Sequence, residues 1–526
     1  MLSWGSANAA EQLALNTGRR PAEVEMAQPA QVPADLVVVK GFLFSGNSAI
    51  STAELDLLLT GYVGRSCGLE ELRSAAVKIT DAYHRRGMTL ANAYLPPQTI
   101  EGGIVTITII EGRIGNLVIE GNRNYSSDFV RRYLTGGDTG RQLTIEQLEK
   151  GLLLLNSKFT DLKVTANIEP GKEPGTADVR IKVEDRSPLH LSLSGNNYGS
   201  KYVSRYRMGV QGEWVNAVIP GSKMTVGTML GDKLESMKVY SGSYEFPINS
   251  VGTSIGVSAF DGNFDMGRDF AELGIHNHET SGDIFVSHPL VRNRLSNLSA
   301  KAGFRIADTR YYYLDELSGK DKSRVAYLQL MGDQVFWGGR GFFGLTWSQG
   351  LGTAFGGSSG EDVIPPSRQN ASNSFARVNL DLGRYQPLSD LFSTTIRISG
   401  QYSDSALMAG EEWSIGGVNS VHGYTAGEAS GDRGYTASLA FTAAPLEKKE
   451  RLQISTYLDH GYAYKKFFSI GSAQVHELTG IGLGFASHFD SVASTDLRLD
   501  IGVPLNPSGN YLSENPIIYF ETAFRF

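Results

Sequence analysis

Two hydrophobic periodicities divide the chain, and they change over near residue 188. Before that point apolar positions recur by turns at strand and at helical spacing. Val37 to Phe44 reads as a strand. Ser51 and Glu54 have the spacing of a capping box and open a helix. Leu69 to Arg86 predicts a second helix, with Leu72, Ala75, Ala76, Ile79 and Tyr83 along one face. Two strand-like runs follow, Ala91 to Leu95 and Ile104 to Ile110. The same order then recurs. Leu117 to Glu120 is a strand and Ser127 to Leu134 a helix. Thr144 with Gln147 caps a second helix reaching about Phe159, and Leu162 to Ile168 and Ala177 to Val183 close the unit. Residues 36–113 and 114–187 therefore read as two copies of one module. The phrases VVVKGFLFSGNSAI and IGNLVIEGNRNYSS show the repeat directly.

After residue 188 helical spacing disappears and strict alternation takes over. Tyr206, Met208, Val210 and Trp214 oppose Arg205, Arg207, Gln211 and Glu213. Ala376, Val378, Leu380 and Leu382 oppose Arg377, Asn379 and Asp381, and Leu497, Leu499 and Ile501 oppose Asp496, Arg498 and Asp500. A soluble sandwich also has one wet and one dry face. Here the polar face carries charges of both signs at strand centres, which suits a water-filled lumen, and the apolar face carries aromatics near strand ends, which suits interfacial girdles. Roughly sixteen such segments fit between Leu189 and Phe526, the even number expected of an outer-membrane barrel. Short turns are expected around Pro220, Pro247, Gly338 and Pro387, and longer Gly/Ser-rich loops over 261–272, 308–323, 351–371 and 404–433. The last segment alternates Ile518, Phe520, Thr522, Phe524 and Phe526, which is coherent as a lipid-facing closing strand.

Composition sharpens this picture. The 526 residues include 61 glycines and 10% aromatics, with only 20% charged residues. No apolar run approaches the ~18–20 residues of a spanning helix, a test that barrels escape. A single cysteine, Cys67, excludes an intramolecular disulfide framework and any cysteine-based metal site. The net charge of −7 gives no sign of nucleic-acid binding. Met1 to Ala10 lacks the apolar stretch of a secretory signal and reads as a truncated signal, an artificial start or a mature N-terminus. Residues 9–20 can form a short helix, and 21–35, with Pro21, Pro29 and Pro33, have linker composition. No nucleophile elbow or comparable triad signature is present, so no catalytic residue is expected. Gly480, Gly482 and Gly484 imitate part of a nucleotide-binding fingerprint but lie in a strand pattern with no helix after them. His276, His278 and His288 have no metal-ligand spacing, and neither metal nor cofactor is expected.

A repeated strand–helix–helix–strand–strand module ahead of a barrel resembles the polypeptide-transport-associated (POTRA) domains of the BamA-like outer-membrane superfamily. Two modules, joined by AYLPPQTIEGGIVTITIIEGRIGNLVIEGN, are similar to those of the pore proteins of two-partner secretion, the TpsB transporters of haemolysin-activator (ShlB-like) type. GGVNSVHGYTAGEASGDRGY at 416–435 is similar to that family's loop-tip motif, here Val421, His422, Gly423 and Tyr424. YLDHG is similar to its strand motif, here Tyr457, Asp459 and Gly461. By strand count the first lies between strands eleven and twelve and the second on strand thirteen. Alternation independently turns Tyr457, Asp459 and Gly461 inward.

The resemblance implies a chain division into 1–35 (a plug helix and linker), 36–113 and 114–187 (POTRA modules) and 188–526 (the barrel). It implies an outer-membrane pore of a Gram-negative bacterium, with periplasmic modules, that recognises and translocates a secreted TpsA-type exoprotein without nucleotide hydrolysis. Outer-membrane lipid is implied as a further partner, as is the barrel assembly machinery, read through the C-terminal strand ending in Phe526. A BamA/TamA-like insertase is the alternative. In the family an arginine of the loop tip pairs with the strand aspartate. Histidine stands there in this chain and lacks the arginine fork. The resemblance thus leaves open whether His422 makes a weaker or pH-dependent pair with Asp459, or whether Arg433 takes its place.

Overall fold

A computed structural model describes residues 36–526, apart from 87, 89–90, 112, 138–142, 173–175, 234–235, 468–473, 491–492 and 507–514. The expected helix at 9–20 and the linker at 21–35 lie outside the described residues. The chain divides into two compact units between Arg186 and Ser187.

The first unit contains two sheets of the same topology. In one, Gly41–Ser45 runs parallel to a central strand, Ile104–Ile110, which pairs antiparallel with Asn92–Tyr94. In the other, Arg113–Glu120 runs parallel to Thr176–Asp185, which pairs antiparallel with Leu162–Pro170. Helices Thr52–Leu59 and Leu69–Arg85 cover the first sheet, burying Leu55, Leu59, Ile79 and Tyr83 against Ile107 and Ile109. Helices Ser127–Thr135 and Ile145–Lys158 cover the second, where Phe129, Tyr133 and Phe159 pack as mutually tilted rings. Each such side chain contributes about 1.5–3 kcal/mol of burial. The expected strand Val37 to Phe44 is broken. Val37–Val38 pairs with Ser66–Cys67, and the chain changes partner before Gly41 because Val39 N–H is taken by Arg65 O and Lys40 N–H by Gly103 O.

The repeated phrase has a physical cause. Gly46 and Gly121 follow the first strand of each module with φ of +87° and +88°. A Cβ there would lie 2.2 Å from Ile109 O and 2.4 Å from Val183 O, so only glycine fits. The next residue, Asn47 or Asn122, ties the turn by donating to Ile50 O or Tyr125 O. A carboxylate at the end of the last strand then gathers the turn's amides. Glu111 accepts the N–H of Ser48 (2.5 Å) and Ala49 (2.6 Å), and Asp185 accepts those of Arg123 (2.6 Å) and Asn124.

In the second unit sixteen strands among the described residues form one closed antiparallel barrel, each paired with its sequence neighbours. The first is Leu189–Asn196. The seventh to eleventh are Ser296–Tyr313, Glu316–Phe336, Gly339–Gly350, Ala376–Pro387 and Phe392–Ser403. The twelfth to sixteenth are Arg433–Ala443, Gln453–Tyr464, Val475–Asp490, Ser494–Pro504 and Ile517–Arg525. Their outward side chains stay bare of protein: Leu380, Leu382, Ile396 and Ile398 are 42–45% exposed, as lipid-facing positions must be.

Two expected loops are corrected. Residues 308–323 are not a loop: strands seven and eight run through them and turn at Leu314 and Asp315, whose φ values of 53° and 62° make a tight hairpin. Beyond the membrane both faces of a ribbon are wet, so the alternation that marks the buried part fades. Residues 261–265 likewise belong to the strand Ser254–Asp265. Residues 351–375 and 404–432 are long connections, the latter holding a small ribbon of Trp413–Ile415 with Ala429–Gly431.

The carboxylate of Glu111 offers a test of the module turn. Burial raises its pKa, but the amides of Ala49 and Ser48 with the Ser48 and Tyr83 hydroxyls outweigh that and hold it below the usual range. A depressed carboxylate stabilises above its unfolded pKa, and that contribution fades as pH falls through the folded value. Glu111→Gln should cost the first module about 1–3 kcal/mol at neutral pH and flatten its loss of stability below about pH 4.3. Amide hydrogen exchange at Ser48 and Ala49 in the whole chain reads this, and unchanged protection at pH 7 would refute it.

Candidate functional site

The connection between strands eleven and twelve does not stay outside. It crosses the lumen and is fastened to opposite stretches of wall.

The inner wall of strands twelve to fifteen is stripped of side chains where the loop tip rests. Ser438, Asp459 and Gly480 lie abreast on strands twelve, thirteen and fourteen, and Tyr457, Gly482 and Gly502 form the next row on thirteen, fourteen and fifteen. A Cβ at Gly480 would lie 1.8 Å from His422 O, one at Gly482 3.1 Å from the His422 ring, and one at Gly502 2.3 Å from Gly423 N. The glycines form a groove, and the tip fills it. Gly423 itself, at φ +90°, has no room for a side chain against Pro504.

Asp459 sits at the head of this groove, 1% exposed. Its Oδ2 lies 2.5 Å from His422 Nδ1 and also accepts the His422 backbone N–H at 3.1 Å. Its Oδ1 accepts the Ser438 hydroxyl at 2.6 Å. The His422 ring stacks on Tyr457 with centroids 4.5 Å apart and meets the edge of Tyr519. The Tyr519 hydroxyl accepts Gly423 N–H at 3.0 Å and donates to Tyr424 O at 2.7 Å, so strand sixteen grips the tip as well. Tyr424 is fully buried and its hydroxyl donates to Asn506 Oδ1 at 2.7 Å. Val421 packs with Ile415, Ala463 and Leu478, and a Cβ at Gly461 would strike it.

The structure thus brings together Val421, His422, Gly423, Tyr424, Tyr457, Asp459 and Gly461. Arg433 is elsewhere. It stands at the outer end of strand twelve, about 17 Å along the strand from Ser438, with its guanidinium 4.2 Å from the Tyr464 ring. His422 is the group facing Asp459.

The other wall holds the loop's descending limb. The Glu411 carboxylate, 3% exposed, lies between Arg305 of strand seven and Arg377 of strand ten (2.5 Å), and accepts the Ser323 hydroxyl of strand eight at 2.8 Å. Its backbone carbonyl accepts from Arg377 and Gln401. Nearby, Arg368 of the 351–375 connection joins the loop's two feet, bonding Asp432 at 2.7 Å and Glu412 at 2.8 Å. Neither Glu411 nor Arg368 has a local sequence signal, because their partners are distant in the chain. The glycine groove did have one: three glycines at period two on the strand after the aspartate motif. Among the described residues no set of three or more His, Cys, Asp or Glu is arranged for a metal. His276 stacks on Tyr312, and His278 bonds Asp261 at 2.9 Å.

Residues 175–487, more than half of the chain, match the family described as haemolysin secretion/activation protein ShlB/FhaC/HecB. The chain belongs to that family. Residues 37–112 match the POTRA domain of ShlB type. Among relatives, the haem/haemopexin transporter protein HuxB of Haemophilus influenzae (strain 86-028NP) is 26% identical over 88% of this chain and 82% of its own length. The outer membrane transporter CdiB of Dickeya dadantii (strain 3937) is 24% identical over 80% and 75%. The solved structure of CdiB from Escherichia coli superposes with a TM-score of 0.80 at 20% identity, over 98% of this chain and 95% of that one, and shows the shared fold. As a ShlB-type transporter the chain is an outer-membrane pore of two-partner secretion with periplasmic POTRA modules, and not a barrel insertase.

The groove makes a prediction for this ShlB-type pore. Gly480→Ala should unseat the tip while leaving the strand ladder intact. Protease cleavage within 404–432 on folded barrels should rise at least about tenfold, equivalent to ~1.4 kcal/mol of easier local opening. Gly212→Ala, where a Cβ meets nothing within 4 Å, is the control. Equal protection in both variants would show that the tip does not depend on the groove.

Proposed function

We propose that the 404–432 loop is a removable cross-bar of the secretion pore, and that His422 with Asp459 forms its latch. The observation carrying this reading is the fastening at both ends: the tip on strands thirteen to sixteen, and Glu411 on strands seven, eight and ten. A loop so held blocks the lumen and must leave one wall before an unfolded chain passes.

The partner is a secreted TpsA-type exoprotein that meets the periplasmic modules first. Each module offers an edge strand, Asn92–Tyr94 or Leu162–Pro170, with the exposed apolar side chains Tyr94 and Ile168. An extended segment adds to such an edge through main-chain hydrogen bonds while its side chains enter neighbouring hollows. Passage through the barrel draws on folding of the cargo outside. Outer-membrane lipid surrounds the wall. The closing strand, with Phe520, Phe524 and Phe526 exposed on the lipid side, is the segment read by the barrel assembly machinery.

The latch is testable by a double-mutant cycle with secretion of the partner exoprotein as readout and heat-modifiable mobility as the folding control. His422→Ala and Asp459→Ala should each impair secretion, and the double variant should be no worse than either single within about 0.5 kcal/mol, roughly twofold. His422→Arg should be tolerated. Glu411→Gln, on the far wall, should add its effect to His422→Ala, because sites without shared partners are independent. Strictly additive effects of His422→Ala and Asp459→Ala would end the latch reading.

A further inference from the structure

On the outer face of strands seven to eleven, near the short-turn rim, a groove of about 470 Å³ is lined by Leu298, Phe336, Phe343, Leu382, Ile396 and Ile398. Its floor comes from two glycines. Gly332 lies opposite Phe343 and Gly341 opposite Gln334, so each of these cross-strand pairs presents one side chain beside a bare glycine. The Phe343 and Phe336 rings lie over these glycines, where a Cβ would come within 2.5 Å and 2.6 Å of them.

One residue of this face is charged. Arg384 has Gly341 and Ile396 as its neighbours across the sheet, so it shares the outward side with Leu382 and Ile398. Its guanidinium carbon sits 4.0 Å from the Phe336 ring centroid. Nη2 donates to Phe336 O at 2.8 Å and Gln386 Oε1 at 2.5 Å, which holds the side chain along the groove. Among the described residues no carboxylate pairs with the guanidinium, and its Nη1 is enclosed without an acceptor. The neighbouring turn residue Trp337 is 88% exposed, as an indole at the membrane interface is. A cation on a lipid-facing strand is costly near the midplane and nearly free at the interface, where an anion can meet it.

We propose that this groove is a binding site for one anionic glycerophospholipid of the periplasmic leaflet, with an acyl chain against Leu298, Leu382 and Ile398 and the phosphate on Arg384. The apolar lining suits a chain, and the guanidinium charge that no carboxylate neutralises at its interfacial end suits a phosphate. This site is independent of the loop latch.

The test uses the full chain, purified in detergent, delipidated and offered phosphatidylglycerol or phosphatidylcholine of identical acyl chains, with bound lipid counted by native mass spectrometry. The chain should retain phosphatidylglycerol roughly fivefold better, the size expected of one interfacial basic side chain. Arg384→Gln should abolish the preference, and Leu298→Trp, which fills the groove while keeping the charge, should lower retention of both lipids. Equal retention of both lipids by the unaltered chain, or a preference that survives Arg384→Gln, would overturn the proposal. If Arg384→Gln does not fold, Leu298→Trp decides, and unchanged retention in that variant would overturn it too.

Discussion

Lipid offers no hydrogen bonds, so every backbone amide and carbonyl of the wall must find its partner within the sheet. That constraint closes the barrel, and the rest of the structure follows from closure. The seam is its narrowest point: strand sixteen pairs with strand one over Glu521–Arg525 and Ser192–Asn196, with backbone bonds continuing to Leu191–Phe526 and Asn197–Phe520. Asn197 extends it with its side chain, accepting Phe520 N–H at 2.7 Å and donating to Ile518 O at 2.8 Å, in the manner of one more strand residue. Closure also fixes parity around the ring. A slip of strand thirteen by one residue against its neighbours would carry Asp459 to the lipid and Leu458 to the lumen. The place of Asp459 therefore depends on the whole ladder of that strand.

Within the lumen, charge is placed where only a partner makes it tolerable. Glu411 is nearly without solvent, and its desolvation is offset by two guanidinium groups and a hydroxyl. Such a cluster adds little net stability over an apolar core of equal volume, yet removing one member costs about 3–5 kcal/mol. It acts as a specificity device: the loop has one seat. The tip uses another means. Its histidine offers Asp459 one ring N–H and one backbone N–H, and its Nε2 is enclosed without an acceptor. What an arginine would supply by a fork of donors is supplied here by the glycine groove, the Tyr457 stack and the Tyr519 hydroxyl.

The parts legible in the sequence were those written in local pattern. Alternation over Leu452 to Gly461 turned Asp459 inward, and strand counting put it on strand thirteen, where it lies. The repeated Gly-Asn phrase marked two modules because each needs a left-handed glycine and an amide-tying asparagine at the same turn. The hairpin over 308–323 was hidden because a ribbon wet on both faces loses the contrast that period-two reading needs. The glycines of strand fourteen were visible but were weighed only as a nucleotide fingerprint, since an empty wall gains meaning only when something leans on it. Glu411 was silent: its partners Arg305, Ser323 and Arg377 stand 106, 88 and 34 residues away, and pairings at that range leave no trace in a single chain.

A cross-bar held at one wall would be a hinge and would swing with every fluctuation of its free end. Held at two walls it stays closed unless both fastenings yield, or one yields and the loop folds back upon the other. The two fastenings here respond to different things. The Glu411 cluster is electrostatic, and water entering the lumen weakens it by hydrating each charge separately. The tip combines the steric fit of the glycine groove and the Tyr457 stack with the enclosed His422–Asp459 hydrogen bonds. A passing polypeptide brings water and its own amides but no shape that fits the groove. In the proposed cross-bar the Glu411 end is therefore the one that cargo loosens, and the groove is the end that returns the loop to its seat.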